Sequence, residues 1–133
     1  MDISAVNWLA VAVATVASFI LGGVWYGPLF SVQWQALVGL STEELEGANP
    51  AMIFGPAFIL TLVQALLLAL LLPAGSGLAG GAGFGALLGA GFIATGLGVN
   101  YLFARNPRGL WAIDAGFNVV QLALMGAIIG AWP

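Results

Sequence analysis

The chain has 133 residues, of which 62% are hydrophobic and 5% charged, with a mean hydropathy of +1.10, whereas a soluble domain carries roughly 25% charged residues. A surface so poor in charge cannot be held in water, and lipid must be the solvent for most of the exterior. There is no Cys, His or Lys, and the net charge is -3. This removes imidazole and thiolate metal sites, His-activated nucleophiles and thiol redox chemistry. With Arg105 and Arg108 the only basic side chains, the phosphate neutralisation that nucleic-acid binding needs is missing too. No cofactor is expected.

The first residues, Met1-Asp2-Ile3-Ser4, lack the positive segment that opens a secretory signal peptide, so the apolar run after them reads as a retained helix. Four such runs follow one another, over 6–26, 51–72, 83–103 and 109–131. Each is about 20 residues long, enough at 1.5 Å per residue to cross a hydrocarbon core of about 30 Å. Trp8, Trp25, Tyr26, Tyr101, Trp111 and Trp132 lie near run ends, where amphipathic rings sit at headgroup level. The expectation is an all-α membrane protein, a single four-helix transmembrane domain over 1–133.

Between the first two spans lies the one sizeable polar segment, 28–50. Phe30, Trp34, Leu37 and Val38 recur there at helical spacing, which predicts a short amphipathic helix in the interface, ended by Gly39. Ser41-Thr42-Glu43-Glu44 has capping-box spacing for a second short helix through Glu46. Asn49-Pro50 then starts the second span with a cap and a proline at the first helical position. Pro56, inside that span, removes a backbone hydrogen bond. The glycine-rich stretch 73–80 reads as a tight turn, and 105–108 as another. Because short loops bearing arginine stay cytoplasmic, the 105–108 turn and the 28–50 segment are expected inside and both termini outside.

The sequence also matches itself. Gly23-Val24-Trp25-Tyr26, ending span one, aligns with Gly98-Val99-Asn100-Tyr101, ending span three, and Val63-Gln64 aligns with Val120-Gln121. The reading is a duplicated helical hairpin, two parallel repeats about an axis along the membrane normal. Small residues recur every four positions: Ala10, Ala14, Ser18 and Gly22 on span one, Gly81, Gly85 and Gly89 on span three, with Gly126 and Gly130 on span four. Such ridges let backbones approach closely. Within one chain they are expected to pack span one on span three, leaving any spare ridge for a homo-oligomer or a partner subunit.

The stretch Gly22-Gly23-Val24-Trp25-Tyr26-Gly27-Pro28-Leu29-Phe30, followed by Trp34, Gly39-Leu40-Ser41 and Glu43-Glu44-Leu45, resembles the signature of the bacterial membrane family called domain of unknown function 1761. The ending Met125-Gly126-Ala127-Ile128-Ile129-Gly130-Ala131-Trp132 is similar to that family's final helix. Val32 departs from the pattern, where the family would have lysine. The resemblance implies a four-helix protein of the bacterial inner membrane and carries over no functional residue.

The one ionisable side chain within a span is Asp114. A charge there costs about 2.5 kcal/mol or more at the helix centre and is a functional candidate by default. Asp114, Asn118, Gln121 and Met125 fall on one helical stripe. Counting outward from Pro107 places Asn100 level with Asp114, while Gln64 and Gln121 both fall at mid-span. Asp114, Asn118, Gln121, Asn100, Gln64 and Thr61 are therefore the candidate polar seam. Asp114 is expected to bond Asn100 or an arginine of the 105–108 turn. Two functions suit the seam: a small oligomeric transport or permeation protein for a polar solute or a proton, or a structural or accessory subunit within a larger membrane complex. A lone carboxyl without His, metal ligands or a second acid does not make an enzyme site.

Overall fold

The computed structural model describes residues 1–133. Four helices are long and apolar enough to cross a membrane: α1 (Trp8–Leu29), α4 (Pro50–Leu71), α5 (Gly77–Phe103) and α6 (Arg108–Ala131). Two short helices, α2 (Ser31–Val38) and α3 (Thr42–Glu46), lie between the first two. There is no strand. The protein is an all-α membrane protein.

The polar residues that start the helices do so by the expected chemistry. Asn7 accepts the Ala10 amide at 3.1 Å, Ser41 the Glu44 amide at 3.1 Å and Asn49 the Ala51 amide at 3.1 Å, each satisfying one donor of a helix's open first turn. Before α1, Asp2 takes both the hydroxyl and the amide of Ser4, and these bonds hold its carboxyl below the usual range. Gly39 ends α2 with φ at +78°. A side chain pays roughly 1 kcal/mol in that left-handed region, so Gly39→Ala is expected to lower stability by about that much in thermal unfolding.

Both long helices that end in a tyrosine carry one wide π turn. In α1 it spans Trp25–Leu29 and contains Pro28, which has no N–H to give. The turn closes through the Phe30 amide on the Trp25 carbonyl at 3.0 Å. In α5 it spans Gly89–Ala94. α4 passes through Pro56 as one helix. Span three begins at Gly77 rather than at 83: the turn is confined to the residues around Gly75, whose φ is +76°, and the helix starts earlier because Gly77 and Gly81 present bare backbone to Gly130 and Gly126.

α6 is the hub. Its Leu110, Ile113, Ala115, Gln121, Leu122, Met125 and Gly126 are buried, and every other span packs on it. α5 meets it most closely. A Cβ on Gly81 or Gly85 would overlap the carbonyl of Gly126 or Leu122, and one on Gly126 or Gly130 the carbonyl of Gly81 or Gly77. Only glycine permits that approach. α1 lies on α6 and α4 through Ala10, Val11, Ala14, Thr15 and Ser18. The expected packing of span one on span three is not what forms, since the two ridges each turn to α6 instead. The two hairpins accordingly pack unequally, the second through bare backbone and the first through side chains. The core is Val11, Ala14, Ala65, Leu68, Leu122 and Met125, in the half of the bundle nearer the chain termini.

Candidate functional site

At the opposite end, three helices converge on Asp114. The Tyr26 hydroxyl, from the π turn of α1, donates to Oδ1 at 2.6 Å. The Tyr101 hydroxyl, from the end of α5, donates to Oδ2 at 2.6 Å. Both lengths suit an O–H bonded to a carboxylate, a bond about twice as strong as a neutral one. The carboxyl is thereby closed on both oxygens, and α1 and α5, which hardly touch, are joined through it.

Two indoles repeat the pattern beside it. Trp25 Nε1 donates to the Ile113 carbonyl at 3.0 Å, its ring lying over the open surface of Gly116. Trp111 Nε1 donates to the Ala94 carbonyl at 2.9 Å, at the end of the π turn in α5. Phe117 packs between Trp25 and Tyr26, with ring centroids 6.3 and 5.2 Å away. α2 covers this end. Trp34 meets Tyr26 edge-on at 5.9 Å, and Leu37 sits against Gly109. The interfacial helix thus lies on the bundle end with its aromatic face inward.

The six seam residues are not all brought together. Asn118 donates from Nδ2 to the backbone carbonyl of Asp114 at 2.8 Å. Gln121 donates to Gln64 Oε1 at 3.3 Å, joining α6 to α4 at mid-span. Thr61 turns back on its own helix, to the Ala57 carbonyl at 2.8 Å. Asn100 is exposed and gives Asp114 nothing; its neighbour Tyr101 does. The partners of Asp114 are therefore tyrosines, neither Asn100 nor an arginine. Counting from the turn fixes depth correctly, but at 3.6 residues per turn one residue along a helix swings the side chain by about 100°. Tyr26 and Tyr101 are the members of this cluster that the sequence did not single out. A signal exists in the sequence, because the two occupy matched positions in the internal repeat, but their places near span ends suit the interfacial belt equally well.

Toward the termini the polar links between helices stop; the buried Thr15 and Ser18 hydroxyls there bond the Val11 and Ala14 carbonyls of their own helix. Val11, Ala14, Leu68 and Met125 are at most 2% exposed and form an apolar plug beyond Gln121. A cavity of about 440 Å³ does open at the terminal end, between Asn7, Ala69, Ser76 and Ile129, on the far side of that plug.

The Gln64 and Gln121 amides make a simple stability test. Gln64→Leu alone strands the amide of Gln121, 4% exposed, and should cost about 1–3 kcal/mol. Replacing both with leucine removes donor and acceptor together and should be nearly neutral. Reversible unfolding in mixed micelles would separate the two; equal losses would contradict the pairing.

An integral membrane protein of four spanning helices, three of them packed on the fourth, is the class these features define. The family model described as "Protein of unknown function (DUF1761)" matches residues 9–130. The chain belongs to that family. No curated protein and no solved structure matches it.

Proposed function

We propose that the protein is a structural or accessory subunit of a membrane assembly rather than a solute path. One observation carries this reading: the polar side chains that reach from one span to another are spent on links that end on α6. Tyr26 and Tyr101 close both oxygens of Asp114, and Gln64 meets Gln121. A solute or proton moving along the seam would need those links opened and would still face the plug of Met125 and Leu68. Such bonds are the usual glue between transmembrane helices.

Orientation in this reading follows the arginines, with the 28–50 and 105–108 segments cytoplasmic in a bacterial inner membrane and both termini outside. The outward surface is what remains for a partner. Ile59, Leu60, Leu87 and Phe92 are 60, 67, 66 and 75% exposed; they face lipid or another membrane chain with equal ease. Extraction in a mild detergent followed by native mass measurement tests the proposal. The expected particle contains a second polypeptide beside this one. A particle built only of this chain would overturn it.

A further inference from the structure

We propose that two copies of the protein pair through α4, with Gln64 of each copy hydrogen-bonded to Gln64 of the other at the middle of the membrane. This goes beyond the accessory-subunit reading, because it names a contact that exists whether or not a different polypeptide is present.

Gln64 carries an amide left half used. A glutamine side chain has two N–H donors and one carbonyl oxygen with two lone pairs. The bond to Gln121, at 3.3 Å, engages one end of the Gln64 amide, and no other side chain or backbone group of the chain reaches the remaining end. Turning the amide over merely exchanges which end is left. At mid-span no water is there to take it, and an unpaired amide in hydrocarbon is costly.

The helix carrying that amide is also the least covered of the four. Ala65 and Leu68 are the only buried residues of α4. Ile53, Leu60, Leu67 and Leu71, which share the flank with Gln64 at spacings of three, four and seven residues or more, are 53, 67, 48 and 45% exposed. The flank is an apolar stripe with a single polar residue in its middle. In a helix pair, such a residue fixes register and partner. Acyl chains satisfy leucines but offer the amide nothing.

A second copy satisfies it by geometry alone. Two copies inserted in one bilayer have the same orientation, so a two-fold axis relating them runs along the membrane normal. Gln64 then faces Gln64 at the same depth, in an interface where each side presents the same patch. A primary amide is its own complement, since each Gln64 donates to the Oε1 of the other. That oxygen has a second lone pair, which keeps the Gln121 bond. A four-amide chain results, Gln121 to Gln64 in one copy and Gln64 to Gln121 in the next. A different polypeptide would need its own polar group placed at that depth.

The natural absence of cysteine gives a clean test. Leu60→Cys in native membranes, treated with a membrane-permeant oxidant, should yield a disulfide-linked dimer about tenfold more readily than Leu102→Cys, a control on the lipid face of α5 that is 74% exposed. Adding Gln64→Leu together with Gln121→Leu removes both amides without stranding either. It should lower the association constant about tenfold, the factor that about 1.4 kcal/mol of intramembrane hydrogen bonding supplies. Equal yields from the two cysteine positions, an adduct to a different protein in place of the dimer, or a dimer indifferent to loss of the amides would each overturn the pairing. The outcomes separate from those of the subunit reading. A second polypeptide in the native particle without the Leu60→Cys dimer removes only this inference, whereas the dimer in a particle of this chain alone removes only the subunit role.

Discussion

Gly85→Ala is expected to destabilise the bundle more than any other single added methyl group. A Cβ at that position would overlap the Leu122 carbonyl and crowd the Ala123 amide. These are backbone atoms in the middle of a helix and cannot rotate aside as a side chain would. α5 has almost no other support, because its contacts with the rest of the bundle run through α6. Overpacking a fitted core costs about 1–3 kcal/mol where side chains can shift, and here they cannot, so about 3 kcal/mol or more is expected. Gly83→Ala is the control. Nothing lies within 4 Å of a Cβ there, and the variant should be as stable as the parent. Thermal unfolding in detergent compares the two. Equal melting temperatures would mean that α5 and α6 do not meet through their glycines.

The second large effect concerns the two tyrosines. Tyr26→Phe with Tyr101→Phe should be more damaging than Asp114→Asn, although it leaves the one ionisable group of the spans in place. The double variant strips both hydroxyls from Asp114 and leaves a carboxylate facing two phenyl rings. A charge without a partner costs about 2.5 kcal/mol or more at membrane depth. In Asp114→Asn the amide can still accept one hydroxyl, and no charge is stranded. The expected losses are about 3 kcal/mol for the tyrosine pair and about 1–2 kcal/mol for Asp114→Asn. If Asp114→Asn proved the worse of the two, the hydroxyls would not be the groups that hold the carboxyl.

Much of this architecture was legible in the sequence, and the reasons differ from place to place. The spans and their starts could be read because length, caps and proline act locally: Asn49 before Pro50, Ser41 before Glu44 and Gly39 after Val38 occupy the positions their chemistry suits. The start of α5 could not be read, because Gly77 and Gly81 carry two meanings. They break a helix in water, yet in lipid they give a helix a bare face, and which meaning holds depends on Gly126 and Gly130 opposite. The packing order had the same difficulty. Ridges of small residues on α1, α5 and α6 were visible, but only the assembled bundle shows that α6 receives both others.

For the polar site, depth was legible and direction was not. Gln64 and Gln121 share a depth by residue count and meet. Asn100 shares a depth with Asp114 by the same count yet lies outside, since depth leaves the rotation of the helix free. Tyr26 and Tyr101 were hidden by a general habit of tyrosine, which sits at membrane boundaries whether or not it bonds anything. The internal repeat held the missing cue, because two matched tyrosines and a single carboxyl between them satisfy a stoichiometry that Asn100 does not.

The claim that Asp114 is a bolt between helices and not a stepping stone for protons is tested most directly by flux. Vesicles carrying a pH-sensitive dye, reconstituted with the wild type or with Asp114→Asn and given an acid pulse, should relax at the same rate as each other and as vesicles without protein. The same Asp114→Asn sample should meanwhile unfold at a lower temperature. Wild-type vesicles that conduct protons faster than empty ones, with the excess lost in Asp114→Asn, would contradict the account.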